Sequence, residues 1–313
     1  SVDSQFMDLP LEVITTPMRV HQRYFPLVNS EGKLAPYFAV IANTETEDAG
    51  KTIVHGNERV LRARLADAQF FWEQDQRYPL HTFNTALKTR LFHQHLGSLF
   101  DKQERLIKLS SHIAERVGEN LDLVRRAAHL SKADLASQMV AEFPELQGIM
   151  GKHYAQNQGE PLEVARAIEE HYWPKASGDP TPDVIPSLIL AIADRIDTLT
   201  GFFALGIAPS GSKDPFALRR AGLSLIALCL NPHFSVSLVD LLSYAYETYA
   251  WSELAPPLLK NKQETVNELW QFLLERFKFF LKESQKSPYD HVDAVLAIVH
   301  EQSTFLDLSL RVK

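Results

Sequence analysis

The 313 residues predict a mainly α-helical protein with a short β element at its N-terminal end. Two patterns carry that prediction. β-rich runs separated by turn residues fill the first stretch, and from about Asn57 the apolar period changes from two to that of a helix, with no convincing strand pattern returning afterwards. Composition supplies a third observation: 45% hydrophobic and 23% charged residues describe an ordinary folded protein, long enough to bury a large core without disulfides or metal.

The β element is expected to comprise the runs Glu12 to Thr16, Tyr24 to Val28 and Phe38 to Ala42, with Asn29 to Lys33 closing a hairpin between the last two. The first helix shows Val60, Leu61, Leu65, Ala68, Phe71 and Trp72 as one apolar stripe, opposite Glu58, Arg62, Asp67 and Glu73. Further helices are expected at about 84–117, 121–142, 161–171, 186–206, 214–230, 236–250, 262–285 and 288–300, with breaks at Pro174 to Pro186 and Leu254 to Pro257. Asp214-Pro215 predicts the start of the 214–230 helix, with Asp at the N-cap and Pro at the first helical position. No internal repeat or low-complexity tract is apparent.

The net charge is −7, from 32 basic and 39 acidic residues, so a polyanionic partner has to be met by a local basic patch. The single Cys229, inside an apolar run, fits a buried thiol and a reducing compartment. No segment has the length of a membrane span, and Ser1 to Pro10 lacks the regions of a signal peptide, so the expected location is cytoplasmic. The absence of an initiator Met, with a strand-like opening, leads to the expectation of a piece of a longer protein.

Three motifs bear on chemistry. Gly206 to Lys213 resembles a phosphate-binding loop, but Ser212 and Lys213 stand in reversed order and a helix rather than a strand precedes them, so the segment is expected to be a plain loop. His93 or His95, Asp134, and Asp194 or Asp197 have the residue types and separation of a metal centre of the HD phosphohydrolase kind. The His-Asp dipeptide of such centres is missing, and Lys132 lies beside Asp134; both disfavour a divalent cation. Arg219 and Arg220 are cations near a helix N-terminus, against the macrodipole. They are expected to pair with Asp194 or Asp197, or else to meet a phosphate. Arg19, His21 and Arg23 beside Tyr24, and Arg59, Arg62 and Arg64, are further candidates for RNA contact or for plain surface charge.

Several blocks together resemble the beta subunit of bacterial-type glycyl-tRNA synthetase. They are EVITTPMRVHQRYFPL from Glu12, FAVIANT from Phe38, GNERVLRARLADAQFF from Gly56, HLGSLFDK from His95, SKADLASQMVAEFPELQGIMGKHY from Ser131, AIADRIDTLT from Ala191 and KDPFALRRA from Lys213. The order is collinear, and similarity weakens after about Asp290. The resemblance implies a subunit of an ATP-dependent glycine-tRNA ligase, with the alpha subunit and glycine tRNA as partners and no membrane. ATP and Mg, with the catalysis, are expected on the alpha subunit, so no cofactor, metal or catalytic residue is assigned here. It also implies a β-rich element over 1–56 left from an upstream domain, a helical HD-like domain over 57–232, and a helical region over 233–313 leading towards an anticodon-binding domain. His95, Asp134, Asp194 and Asp197 then become vestigial HD positions, and Arg19, His21, Arg23, Arg59, Arg62, Arg64, Lys213, Arg219 and Arg220 candidate tRNA contacts. The alternative is a working metal-dependent phosphohydrolase; a further one is a purely structural spacer.

Overall fold

The computed structural model describes residues 1–176, 178–283, 285–299 and 303–312, and within them helices dominate over two small antiparallel sheets. The first predicted strand is instead a helix, α1 (Leu11–Thr16), continuing into a wider helical turn at Pro17–His21. Its β-branched residues favour a strand, but Val13, Ile14, Pro17 and Met18 recur at helical spacing and all four are buried, so packing overrides propensity. The hairpin follows as predicted, with β1 (Phe25–Val28) against β2 (Leu34–Ala39). Asn29 closes it, its side-chain oxygen accepting the N–H groups of Glu31 at 3.0 Å and Lys33 at 2.9 Å.

Helix α2 (Lys51–Asp75) begins six residues earlier than its apolar stripe suggested, and Val60 lies outside the buried line of Leu61, Leu65 and Ala68. The continuous helix expected over 84–117 is broken. A 3-10 stretch at Leu80–Thr89 leads into β3 (Leu91–His93) and β4 (Gly97–Ser98), and only then does α3 (Leu99–Val117) start. Gly97 sits at φ +85°, and a Cβ there would lie 2.6 Å from Oδ2 of Asp101. That carboxylate is occupied in a capping box: it accepts the Ser98 N–H at 2.7 Å, while Ser98 Oγ accepts the Asp101 N–H at 3.2 Å.

Next come α4 (Leu121–Leu130), a 3-10 turn at Ala133–Ala136, α5 (Gln138–Glu142) and α6 (Ile149–Asn157), the last not expected from the sequence. Helix α7 (Leu162–Glu170) and helix α8 (Ile185–Ala204) agree with expectation. α8 is apolar on nearly every side and sits at the centre, packed against α3, α4, α7 and α9 (Leu218–Cys229). α9 starts later than predicted: Pro215 lies in the preceding turn, yet Asp214 still accepts the orphan N–H groups of Leu218 at 2.7 Å and Arg219 at 3.0 Å. The layer is completed by α10 (Leu238–Thr248), the short α11 (Trp251–Leu254), α12 (Lys262–Glu283), α13 (Tyr289–Leu296) and α14 (Phe305–Val312); the ends predicted at 285 and 300 run past residues 284 and 300, which are outside the described residues. Cys229 is buried as expected, and burial pushes its thiol up.

Candidate functional site

The apolar run of α8 is interrupted by Asp194, Arg195, Asp197 and Thr198, and these residues face charged groups sent in by α3 and by the turn after α4. The capping box fixes the start of α3 and so the direction of Lys102 and Arg105, both about 4% exposed. Arg105 Nε donates to Asp197 Oδ1 at 2.6 Å and Nη1 to the Leu96 carbonyl at 3.1 Å, with the guanidinium 3.9 Å from the Tyr249 ring centre. Lys102 Nζ bridges both carboxylates, at 2.9 Å from Asp197 Oδ2 and 3.0 Å from Asp194 Oδ1, and also donates to Thr198 Oγ1 at 2.8 Å.

From the other side, Lys132 Nζ lies 3.4 Å from Asp194 Oδ1 and 2.7 Å from His171 Nε2. His171 Nδ1 is 2.8 Å from the Ile168 carbonyl, which accepts a proton and does not offer one, so Nδ1 carries the hydrogen and Nε2 accepts from Lys132. Burial, with Lys132 alongside, holds the imidazole well below its ordinary range and keeps it neutral. Burial lowers Lys132 to about 8 even against the pull of Asp194. For Asp194 burial works upward, but Lys102, Lys132 and Arg195 outweigh it and hold the carboxyl well below the usual range. Arg195 faces back along the chain and donates to the carbonyls of His171, Tyr172 at 2.9 Å and Trp173 at 3.3 Å, so it clamps the end of α7.

Of the sequence-predicted metal-site residues, Asp194 and Asp197 meet through Lys102, but the full set is not gathered as ion ligands among the described residues. Asp134 accepts from Gly148 N at 2.6 Å and Gly151 N at 3.1 Å, and burial raises its carboxyl to about 6. Gly151 is required there, since a Cβ would meet Asp134 Cγ at 3.1 Å and Ile168 Cγ2 at 2.5 Å. His93 and His95 lie around the β3–β4 turn, with the His93 ring 5.2 Å from Phe202 and 5.6 Å from Phe216; neither histidine bonds to Asp134 or Asp194 among the described residues. No three His, Cys, Asp or Glu side chains among the described residues are gathered as ion ligands. A divalent cation does not fit at Asp194, because two ammonium groups already occupy the approach to Oδ1.

The pairing expected for Arg219 and Arg220 is also corrected. Asp194 and Asp197 are claimed by Lys102, Arg105, Lys132 and Arg195, which reach them from within the core. Arg219 donates instead to the Gly211 carbonyl at 2.7 Å, and Arg220 is exposed. Of the remaining candidates, Arg62 pairs with Asp3 at 2.7 Å and Arg64 with Glu142 at 3.0 Å, while His21 packs edge-on against Phe143. Arg19, Arg23, Arg59 and Lys213 are exposed, with no side-chain partner among the described residues. The Gly206–Lys213 segment is a loop, with a single bridge between Ser210 and Lys213. Sequence reasoning missed Lys102, Arg105, His171 and Arg195, and set Lys132 beside Asp134 without its pairing to Asp194. The signal was present for two of them: Lys102 and Arg105 fall on the same helical face as Leu106, Leu109 and Ile113.

Fold and site together define a mainly α-helical protein built around an interior ion-pair cluster, with several unpaired cations on its exterior. Among the described residues no helix is long and apolar enough to cross a membrane. A family profile described as "Glycyl-tRNA synthetase beta subunit" matches residues 1–297, and the chain belongs to that family. Similar relatives include the "Glycine--tRNA ligase beta subunit" of Rhodospirillum centenum, 46% identical over 301 residues, covering 95% of this chain and 41% of the relative. Those of Pseudomonas putida KT2440 and Azotobacter vinelandii are 43% and 44% identical over 266 residues, covering 85% of this chain and 39% of each relative. The chain therefore spans about two fifths of the length of these relatives.

Proposed function

We propose that this chain is a tRNA-binding and assembly part of a cytoplasmic glycine-tRNA ligase, supporting ATP-dependent glycylation of glycine tRNA carried out on an alpha subunit. The observation that carries the reading is the family match over residues 1–297. Support comes from the partition of the charges. The cations of the interior are consumed by Asp194 and Asp197, which leaves Arg19, Arg23, Arg59, Lys213 and Arg220 as the unpaired candidates for phosphate contact among the residues singled out from the sequence. In this reading the segment contributes no catalytic residue, and ATP and Mg act on the partner subunit.

The test is a titration of glycine tRNA over a salt series with the alpha subunit present. Arg19→Ala, Arg23→Ala and Arg59→Ala should each weaken binding and, where the side chain meets a phosphate, reduce the slope of log affinity against log salt by roughly 0.7–0.9. Arg62→Ala, whose side chain is already held by Asp3, serves as the comparison. Absence of tRNA binding at low salt in the complex would overturn the proposal.

A further inference from the structure

Two cavities share a wall on the outer side of the ion-pair cluster. The larger, about 640 Å³, is lined by Tyr172, Lys175, Asp194, Arg195 and Arg220. The smaller, about 250 Å³, is mostly apolar and bounded by Leu223, Ala227, Phe279 and Phe280. Pro174, Arg220 and Ser224 belong to both, and Ser224 Oγ donates to the Pro174 carbonyl at 2.9 Å, which fixes the divide. The combined space falls within the range of about 300–1,000 Å³ usual for small-molecule sites.

The polar half has the electrostatics of an anion site. Arg195 and Arg220 stand on its wall with Lys175, and Lys102 and Lys132 lie behind Asp194. Glu145 and Asp194 are the carboxylates on that wall, and Asp194 is already surrounded by three cations. Around Asp194 and Asp197 the four cations Lys102, Arg105, Lys132 and Arg195 outnumber the two carboxylates, and the other buried acids among the described residues, Asp75, Asp134 and Glu170, form no ion pair with these four. The Tyr172 hydroxyl is buried without a hydrogen-bond partner, and burial keeps it protonated, so it has a proton to donate. The Arg220 guanidinium is exposed and unpaired, and its planar fork suits a phosphate. The apolar half offers Phe279, 51% exposed on a helix that buries Trp270 and Phe277 and half-buries Phe272 and Phe280.

We propose that this double cavity binds one nucleotide unit, its phosphate group against Arg220 and the Tyr172 hydroxyl and its base against Phe279 and Phe280. The phosphate belongs either to a free mononucleotide or to a single RNA strand. The inference shares only Arg220 with the tRNA reading and is tested without tRNA.

Calorimetric titration of the purified intact protein at low salt uses adenosine 5′-monophosphate, adenosine and inorganic phosphate as probes. The monophosphate should bind at least tenfold tighter than either of the other two. Phe279→Ala should weaken the monophosphate and adenosine roughly five- to 150-fold, the range for one base stacked on an aromatic ring, and leave phosphate unchanged. Arg220→Ala should weaken the monophosphate and phosphate about tenfold and leave adenosine unchanged. Both side chains are on the surface, and an unchanged unfolding temperature certifies each variant. Displacement of the monophosphate by a short single-stranded oligoribonucleotide assigns the site to an RNA strand; retention assigns it to a free nucleotide. No monophosphate binding at millimolar concentration, or equal binding by the parent and both variants, overturns the proposal.

Discussion

Asp197→Ala takes away the carboxylate that Arg105 and Lys102 share, and the two cations are affected unequally. Lys102 keeps Asp194 at 3.0 Å and Thr198 Oγ1 at 2.8 Å. Arg105 keeps only the Leu96 carbonyl at 3.1 Å and the face of Tyr249, so one guanidinium is left buried without its counter-charge. Breaking a buried pair from one side costs about 3–5 kcal/mol, and one orphaned cation sets the loss at that range and not at twice it. With about 2 °C per kcal/mol for a chain of this size, the unfolding temperature should drop by roughly 6–10 °C. Urea unfolding at neutral pH should show the same loss as a shifted midpoint with an unchanged slope. Burial works to raise Asp197, but Arg105 and Lys102 lower it overall. Its stabilisation is therefore present above the unfolded carboxylate range and fades as pH falls through the lower folded value, so parent and variant should converge in acid. Asp197→Leu combined with Arg105→Met, which removes both charges, should recover most of the loss. A single variant within about 1 kcal/mol of the parent, or a double variant no better than the single, would refute the reasoning.

Asp134→Asn keeps an acceptor for Gly148 and Gly151 but removes the buried charge. Because burial raises the folded carboxyl to about 6 from 3.8, the parent is favoured below the unfolded value and loses up to about 3 kcal/mol as pH rises through 6. The variant should thus gain on the parent between pH 4 and pH 7 in paired urea titrations, and a pH-independent difference contradicts this. Gly201→Ala places a methyl 2.2 Å from Tyr249 Oη, which is held by the Asp197 carbonyl at 2.8 Å, and should cost about 1–3 kcal/mol in thermal unfolding. Ser98→Ala removes half of the capping box and should cost about 1 kcal/mol by the same assay, with Asp101→Ala adding little on top because the two act as a unit.

Long periodic segments were legible from the sequence because burial and helical spacing coincide: α7, α8, α10 and α12 lie close to where the pattern put them. The failures have physical causes. β-branched Val13, Ile14, Thr15 and Thr16 gave a strand signal that the buried face of α1 overruled. The β3–β4 hairpin was hidden because its strands are three and two residues long and its geometry depends on Gly97 and Asp101. Helix α6 escaped because Gly148 and Gly151 interrupt the pattern, and both are there to approach the Asp134 carboxylate. At the candidate site the acids were legible and their partners were not. A lysine or arginine in a sequence is presumed to be solvated; Lys102 and Arg105 share the apolar face of α3, but only the fold shows them and Lys132 paired with Asp194 and Asp197.

Lys102 and Lys132 give Asp194 a positive neighbour on a covalent tether. Such a neighbour cannot dissociate, exchange for another element or be stripped by a chelator. The counter-charge at the heart of α8 is delivered by translation itself, and heating with or without EDTA should trace the same unfolding curve.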